Sequence, residues 1–139
     1  MKSLYRFVLA LALAVGFGAS PAFADDKDPL FINLTMDDAH RVDMAIAFGK
    51  NQLERGHPLT IFLNDRGVLV GSTAKAAQFG DQQKALGAVI GQGATVIVCP
   101  MCMKHYGVPE AELLPGLTVG NPDLTGAALF KDDTQTLTW

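Results

Sequence analysis

The 139-residue chain is short of positive charge, with 11 Lys and Arg against 14 Asp and Glu, and its basic residues nowhere cluster. A protein that grips nucleic acid presents a basic stripe to the phosphates, so the composition argues against that class of partner. Cysteine is scarce as well: 2 residues cannot build a disulfide-dense scaffold, and 49% hydrophobic residues with 14 Gly and 7 Pro fit neither a collagen-like nor a disordered chain. No internal repeat, low-complexity tract or second domain is visible. Ser-His-Asp order and the nucleophile elbow of the lipases are both missing. Gly91-Gln92-Gly93 precedes a strand-like run instead of opening a helix, which makes it a turn and not a phosphate cradle.

One apolar run stands out. Residues 1–24 read as basic Lys2 and Arg6, the apolar stretch Phe7 to Ala19, then Ser20-Pro21 and the small-residue end Ala22-Phe23-Ala24, the pattern of a secretory signal peptide cleaved after Ala24. Thirteen apolar residues fall short of the roughly 20 that span a bilayer, and Gly16 and Gly18 weaken a helix further. Cleavage removes two positive charges and no negative one, so the mature chain 25–139 keeps 9 basic and 14 acidic residues, a net of −5. An acidic protein exported to the periplasm, where thiols are oxidised, is the expectation. No later run approaches spanning length, so no membrane association is expected after cleavage.

Residues 25–139 read as one α/β domain. Leu30 to Leu34 is β-prone, and Thr35 is placed to cap a helix from Met36 to about Arg55, with Asp37 and Asp38 as charges of its first turn and Gly56 ending it. Leu59-Thr60-Ile61-Phe62-Leu63 is apolar enough for a strand buried on both faces, Asn64 to Gly67 is a turn, and Val68-Leu69-Val70 reads as a short strand extension. Helical spacing returns over 74–79 and 82–90, broken at Gly80-Asp81, before Ala94 to Val98, the strongest strand. A helical turn over 109–114, a strand over 117–119, a loop or short helix over 122–130 and a strand over 134–139 complete the alternation. The pattern predicts three layers: a mainly parallel sheet of about five strands with helices on both faces, and ligands bound beyond the strands' carboxyl ends.

Both cysteines fall in one C-x-x-C, Cys99-Pro100-Met101-Cys102, followed by Met103-Lys104-His105-Tyr106-Gly107. Cys99 ends the strongest strand, and Pro100 suits the first position of a helix. Unpaired amides at that helix start favour a thiolate, which makes Cys99 the attacking thiol and Cys102 the resolving one. A structural disulfide is the bland alternative, but closing a four-residue loop stabilises by only about 2 kcal/mol. Inert burial is another, since Cys99, Cys102, Met103 and Tyr106 fall near one helical face. Two chemistries compete for reactive thiols. One is sulfur transfer or thiol redox exchange, which needs no cofactor. The other is Cu(I) binding by Cys99, Met101, Cys102, Met103 and His105, soft donors suited to that ion, although Met101 and His105 would face away from the cysteines. Zinc lacks a fourth ligand, with His40 read as surface and His57 as a turn residue. Asn64 and Asp65, just past a strand's carboxyl end, are candidate substrate contacts.

Three stretches together resemble the DsrE/DsrF-like family of small sulfur-handling α/β proteins: Gly56 to Val68, Gly93 to Val98, and Cys99-x-x-Cys102-Met103-x-x-x-Gly107. The resemblance implies a doubly wound sheet, assembly into trimers or hexamers, and a persulfide carried on the residue matching Cys99, with Cys102 as the second cysteine. It further implies a sulfur donor or acceptor protein, or a small thiol, as partner. An oligomeric interaction module with an incidental disulfide is a third, non-catalytic reading. A thioredoxin-like fold is rejected, because its C-x-x-C comes early in the chain.

Overall fold

The structure, a computed structural model, describes residues 27–139. The export signal read at residues 1–24 lies outside the described residues. Strands β1 (Leu30–Leu34), β2 (Leu59–Leu63), β3 (Thr95–Val98), β4 (Leu117–Val119) and β5 (Gln135–Thr138) alternate with helices α1 (Ala39–Glu54), α2 (Ala76–Gly91), α3 (Pro100–Tyr106) and α4 (Pro122–Leu129). The sheet order is β4-β3-β2-β1-β5, with every neighbouring pair parallel.

That order dictates the layers. From β1 to β4 the chain steps one place at a time toward one edge, then returns from β4 across the whole sheet to β5. Right-handed crossovers running in opposite directions must lie on opposite faces. Leu30, Ile32, Leu34, Ile61, Leu63, Val96 and Val98 accordingly pack one face against Val42, Ala45 and Ile46 of α1 and Phe79, Leu86 and Val89 of α2. Phe31 and Ile97, also buried, point to the other face, where Phe31 meets Phe62 at 6.2 Å between ring centroids. Among the described residues only α4 covers that side. The three-layer α/β fold expected from the alternation is therefore present, with a thick layer on one face and a thin one on the other.

Local details differ from the sequence expectations, each for a tertiary reason. Helix α1 starts at Ala39, capped by Asp38, whose carboxylate accepts from the Arg41 N–H at 2.9 Å. Thr35 is not the cap. Its hydroxyl and its N–H both donate to the Trp139 carbonyl, at 2.7 and 2.8 Å, tying the end of β1 to the end of the chain. Val68-Leu69-Val70 is no strand extension: a 3₁₀ turn spans Asp65–Leu69, and Val68 and Val70 are apolar because they are buried under it. Helix α2 kinks at Phe79 (φ −121, ψ 20), one residue before the break expected at Gly80-Asp81, and the ring of Phe79 is fully buried. Burying that ring against the core sets the kink.

Candidate functional site

Val98 ends β3, yet the ladder continues one step: the Cys99 N–H donates to the Leu63 carbonyl at 2.9 Å. Cys99 then caps α3 in an extended conformation (φ −72, ψ 114), with Pro100 at the first helical turn. Its Sγ accepts from the Cys102 N–H at 3.4 Å, the bond that a Ser or Asp oxygen makes at an ordinary cap. A C-x-x-C at this place thus sets one sulfur at the cap and the other three residues on, both on the same side of the turn. The helix is short because Gly107, in the left-handed region at φ 68, ends it.

The second sulfur meets the turn that follows β2. Asp65 lies at φ 44, and its N–H donates to Cys102 Sγ at 3.1 Å. One turn beyond Cys102, the Tyr106 hydroxyl donates to the Asp65 carboxylate. Arg66 makes a bidentate pair with Asp37, 2.7 Å from Nε and 2.6 Å from a terminal nitrogen, and that bond holds the Asp37 carboxyl below the usual carboxylate range. Close packing seats the same turn: a Cβ on Gly67 would lie 2.2 Å from the Leu34 carbonyl oxygen. The Asn64 amide donates to the Asn33 side chain at the adjacent strand end.

Burial pushes the Cys102 thiol up, the neighbouring Cys99 thiol adds to this, and the Asp65 N–H works against it. At neutral pH Cys102 is held protonated more than an ordinary cysteine, and its thiolate fraction grows as pH rises. Tyr106 is also raised, chiefly because its proton is committed to Asp65.

Both thiols are unpaired and half-buried, and both line a cavity of about 570 Å³ with Phe62, Asn64, Asp65 and Tyr106. Cys99 alone of the two also opens onto a smaller cavity of about 190 Å³ beside Gly120, Asn121 and Thr125. The larger cavity lies past the carboxyl ends of β2 and β3, and the smaller one past those of β3 and β4, from which the chain departs into α3 on the thick face and α4 on the thin one. A divergence of that kind leaves a crevice, the usual ligand position in open parallel sheets.

The model of one known family matches residues 30–134. The chain belongs to the DsrE/DsrF-like family. Solved structures share the DsrE/DsrF-like fold at low identity. MTH1491 from Methanobacterium thermoautotrophicum, described as of unknown function, is 16% identical with a TM-score of 0.67 over 80% of this chain and 98% of its own. The ychN protein from E. coli is 18% identical with a TM-score of 0.60, over 81% and 99%. BT1422 from Bacteroides thetaiotaomicron, a conserved protein of unknown function, is 21% identical with a TM-score of 0.59, over 81% and 95%. No curated protein sequence matches.

Within this DsrE/DsrF-like domain the residues singled out from sequence are largely brought together. Asn64, Asp65, Cys99, Met101, Cys102 and His105 all line the thiol cavity. Met101 and His105 therefore border the same cavity as the cysteines, contrary to the expectation from helical spacing, in part because Cys99 is an extended cap residue outside the helix. Met103 is the exception. At 6% exposure it belongs to the core, so the five soft donors do not converge. Among the described residues no three His, Cys, Asp or Glu side chains gather to hold a metal ion. His40 is exposed, and a ring nitrogen of His57 lies 2.8 Å from the Asp28 carbonyl at the opposite end of the sheet. Asp38 is a helix-start charge as expected, but Asp37 is not: it serves Arg66. Tyr106 and Phe62 were not anticipated as site residues. For Tyr106 the available signal was its spacing of four from Cys102.

Proposed function

We propose that this protein handles sulfur through Cys99 and Cys102, in persulfide transfer or thiol–disulfide exchange. The observation that carries the reading is that both sulfurs face one cavity beyond the carboxyl ends of β2 and β3, each already accepting one backbone N–H. Donors so placed stabilise a developing thiolate at little cost in reorganisation. Cys99, open to two cavities, is the thiol a partner reaches. Its thiolate takes a sulfane sulfur from a persulfide donor, which leaves as a thiolate. Cys102 then attacks Cys99 Sγ, expelling hydrosulfide and forming the disulfide, and two external thiols, which leave as their own disulfide, supply the two electrons that restore the dithiol. No resident cofactor is needed. The export pattern read at residues 1–24 supports a periplasmic setting, with a donor or acceptor protein or a small thiol as partner, and family membership supports assembly into trimers or hexamers.

Native intact mass of protein isolated from the periplasm without reductant tests all of this together. Expected are the mass of 25–139, a homo-oligomer, and added sulfur or a reversible loss of two hydrogens. Cys102→Ser should still load sulfur on Cys99 but fail to turn over. A retained copper mass that vanishes with either cysteine would overturn the sulfur reading in favour of Cu(I).

A further inference from the structure

Cys102 is approached from outside its own helix by a single backbone donor, and that donor sits in an unusual place. Asp65 is one of only two non-glycine residues at positive φ among the described residues, and its N–H points at Cys102 Sγ across 3.1 Å. Asp is among the few residues other than Gly that visit this region, yet it lacks the full freedom of Gly, so contacts must hold it there. Three contacts hold it: Gly67 against the Leu34 carbonyl, the Arg66–Asp37 pair, and the Tyr106 hydroxyl on the Asp65 carboxylate. Only the last comes from the helix that carries Cys102, so it alone couples the donor's position to the sulfur it serves.

We propose that Tyr106 is a positioning residue which, by strapping the Asp65 carboxylate, aims the Asp65 N–H at Cys102 Sγ so that negative charge on that sulfur is stabilised. The proposal rests on the thiol chemistry assigned above. When an incoming thiolate attacks Cys99 Sγ of the Cys99–Cys102 disulfide, a mixed disulfide forms at Cys99, the Sγ–Sγ bond breaks and its electron pair passes to Cys102 Sγ, where the Asp65 N–H receives it. In the reverse direction the same bond holds the Cys102 thiolate before it attacks. Facing Cys102 are the Cys99 thiol on its own helix, the Asp65 carboxylate from the turn, and Tyr106 and His105 at the cavity wall, with Arg66 committed to Asp37.

The test is iodoacetamide alkylation of Cys102 across pH in the full mature chain carrying Cys99→Ser, which keeps an oxygen at the cap. Adding Tyr106→Phe retains the ring but frees Asp65, and alkylation near neutral pH should slow roughly threefold to tenfold, with the pH midpoint moving up. Adding Asp65→Asn instead keeps an acceptor for the tyrosine, tolerates the left-handed backbone and removes a negative charge beside the sulfur, so alkylation should be as fast as in the parent or faster. A purely structural loss would change the melting temperature without separating the two variants. Equal profiles in the parent and Tyr106→Phe, or slowing by both changes alike, would overturn the proposal. Failure of Cys99 to carry sulfur while the Tyr106 dependence persists would sink the relay reading and leave the strap standing.

Discussion

Met101 and Met103 are separated by one residue and have opposite fates. Met101 is 81% exposed at the rim of the thiol cavity, whereas Met103 is buried among the apolar side chains under the sheet. Truncating a buried methionine removes transfer energy and leaves a void, so Met103→Ala should cost about 2–4 kcal/mol in urea unfolding. Met101→Ala should change stability by less than about 0.5 kcal/mol and act only on what the cavity binds. Similar losses from both would mean that α3 is rotated from the position described. Sequence could nominate both as soft donors but could not tell them apart, because the rotation of α3 is set by what Cys99 and Tyr106 touch on other elements. The same limit hid Arg66–Asp37 and Tyr106–Asp65, which join residues 29 and 41 positions apart.

At the scale of elements, periodicity and strand character were enough for the strands and for most of the helices. Where they failed, a neighbouring backbone was the cause. Val68 to Val70 looked like a strand because it is buried, and the turn at Asp65–Leu69 exists because Gly67 lets the chain pass the Leu34 carbonyl. Gly67→Ala should therefore destabilise the fold by more than about 2 kcal/mol, since neither backbone can yield cheaply. It should also weaken the Asp65 bond to Cys102. Gly87→Ala is the matching control: it lies in α2, where a Cβ meets nothing within 4 Å. Helix propensity predicts a gain there of about 0.5–1 kcal/mol. Urea midpoints of the two variants moving in the same direction would refute this account of the turn.

For the whole molecule, the return crossover to β5 leaves the two faces unequal. The thick face holds the main core, while α4 has no fully buried residue, Phe130 at its end is 81% exposed, and β5 is exposed along its length. In dilute monomeric protein, amide hydrogen exchange should be slowest in β1, β2 and β3 and fastest in β5, whose outer edge has no partner strand among the described residues. Protection of β5 equal to that of β2 in the native assembly, but not in the dilute monomer, would show that self-association covers this edge.

The sequence alone determined the class of the domain and where its two thiols stand. Apolar strands alternating with amphipathic helices have few ways to pack other than a layered parallel sheet, and a C-x-x-C at the end of the strongest strand must then stand at a carboxyl edge. Both inferences depend on local pattern, which a chain carries within a few residues. Tertiary structure decided which donors reach the sulfurs, which methionine is lost to the core, and which face stays thin. Those outcomes depend on contacts between residues far apart in the chain and on the direction of a single crossover. No local spacing encodes them, because each is settled only when every element competes for the same space.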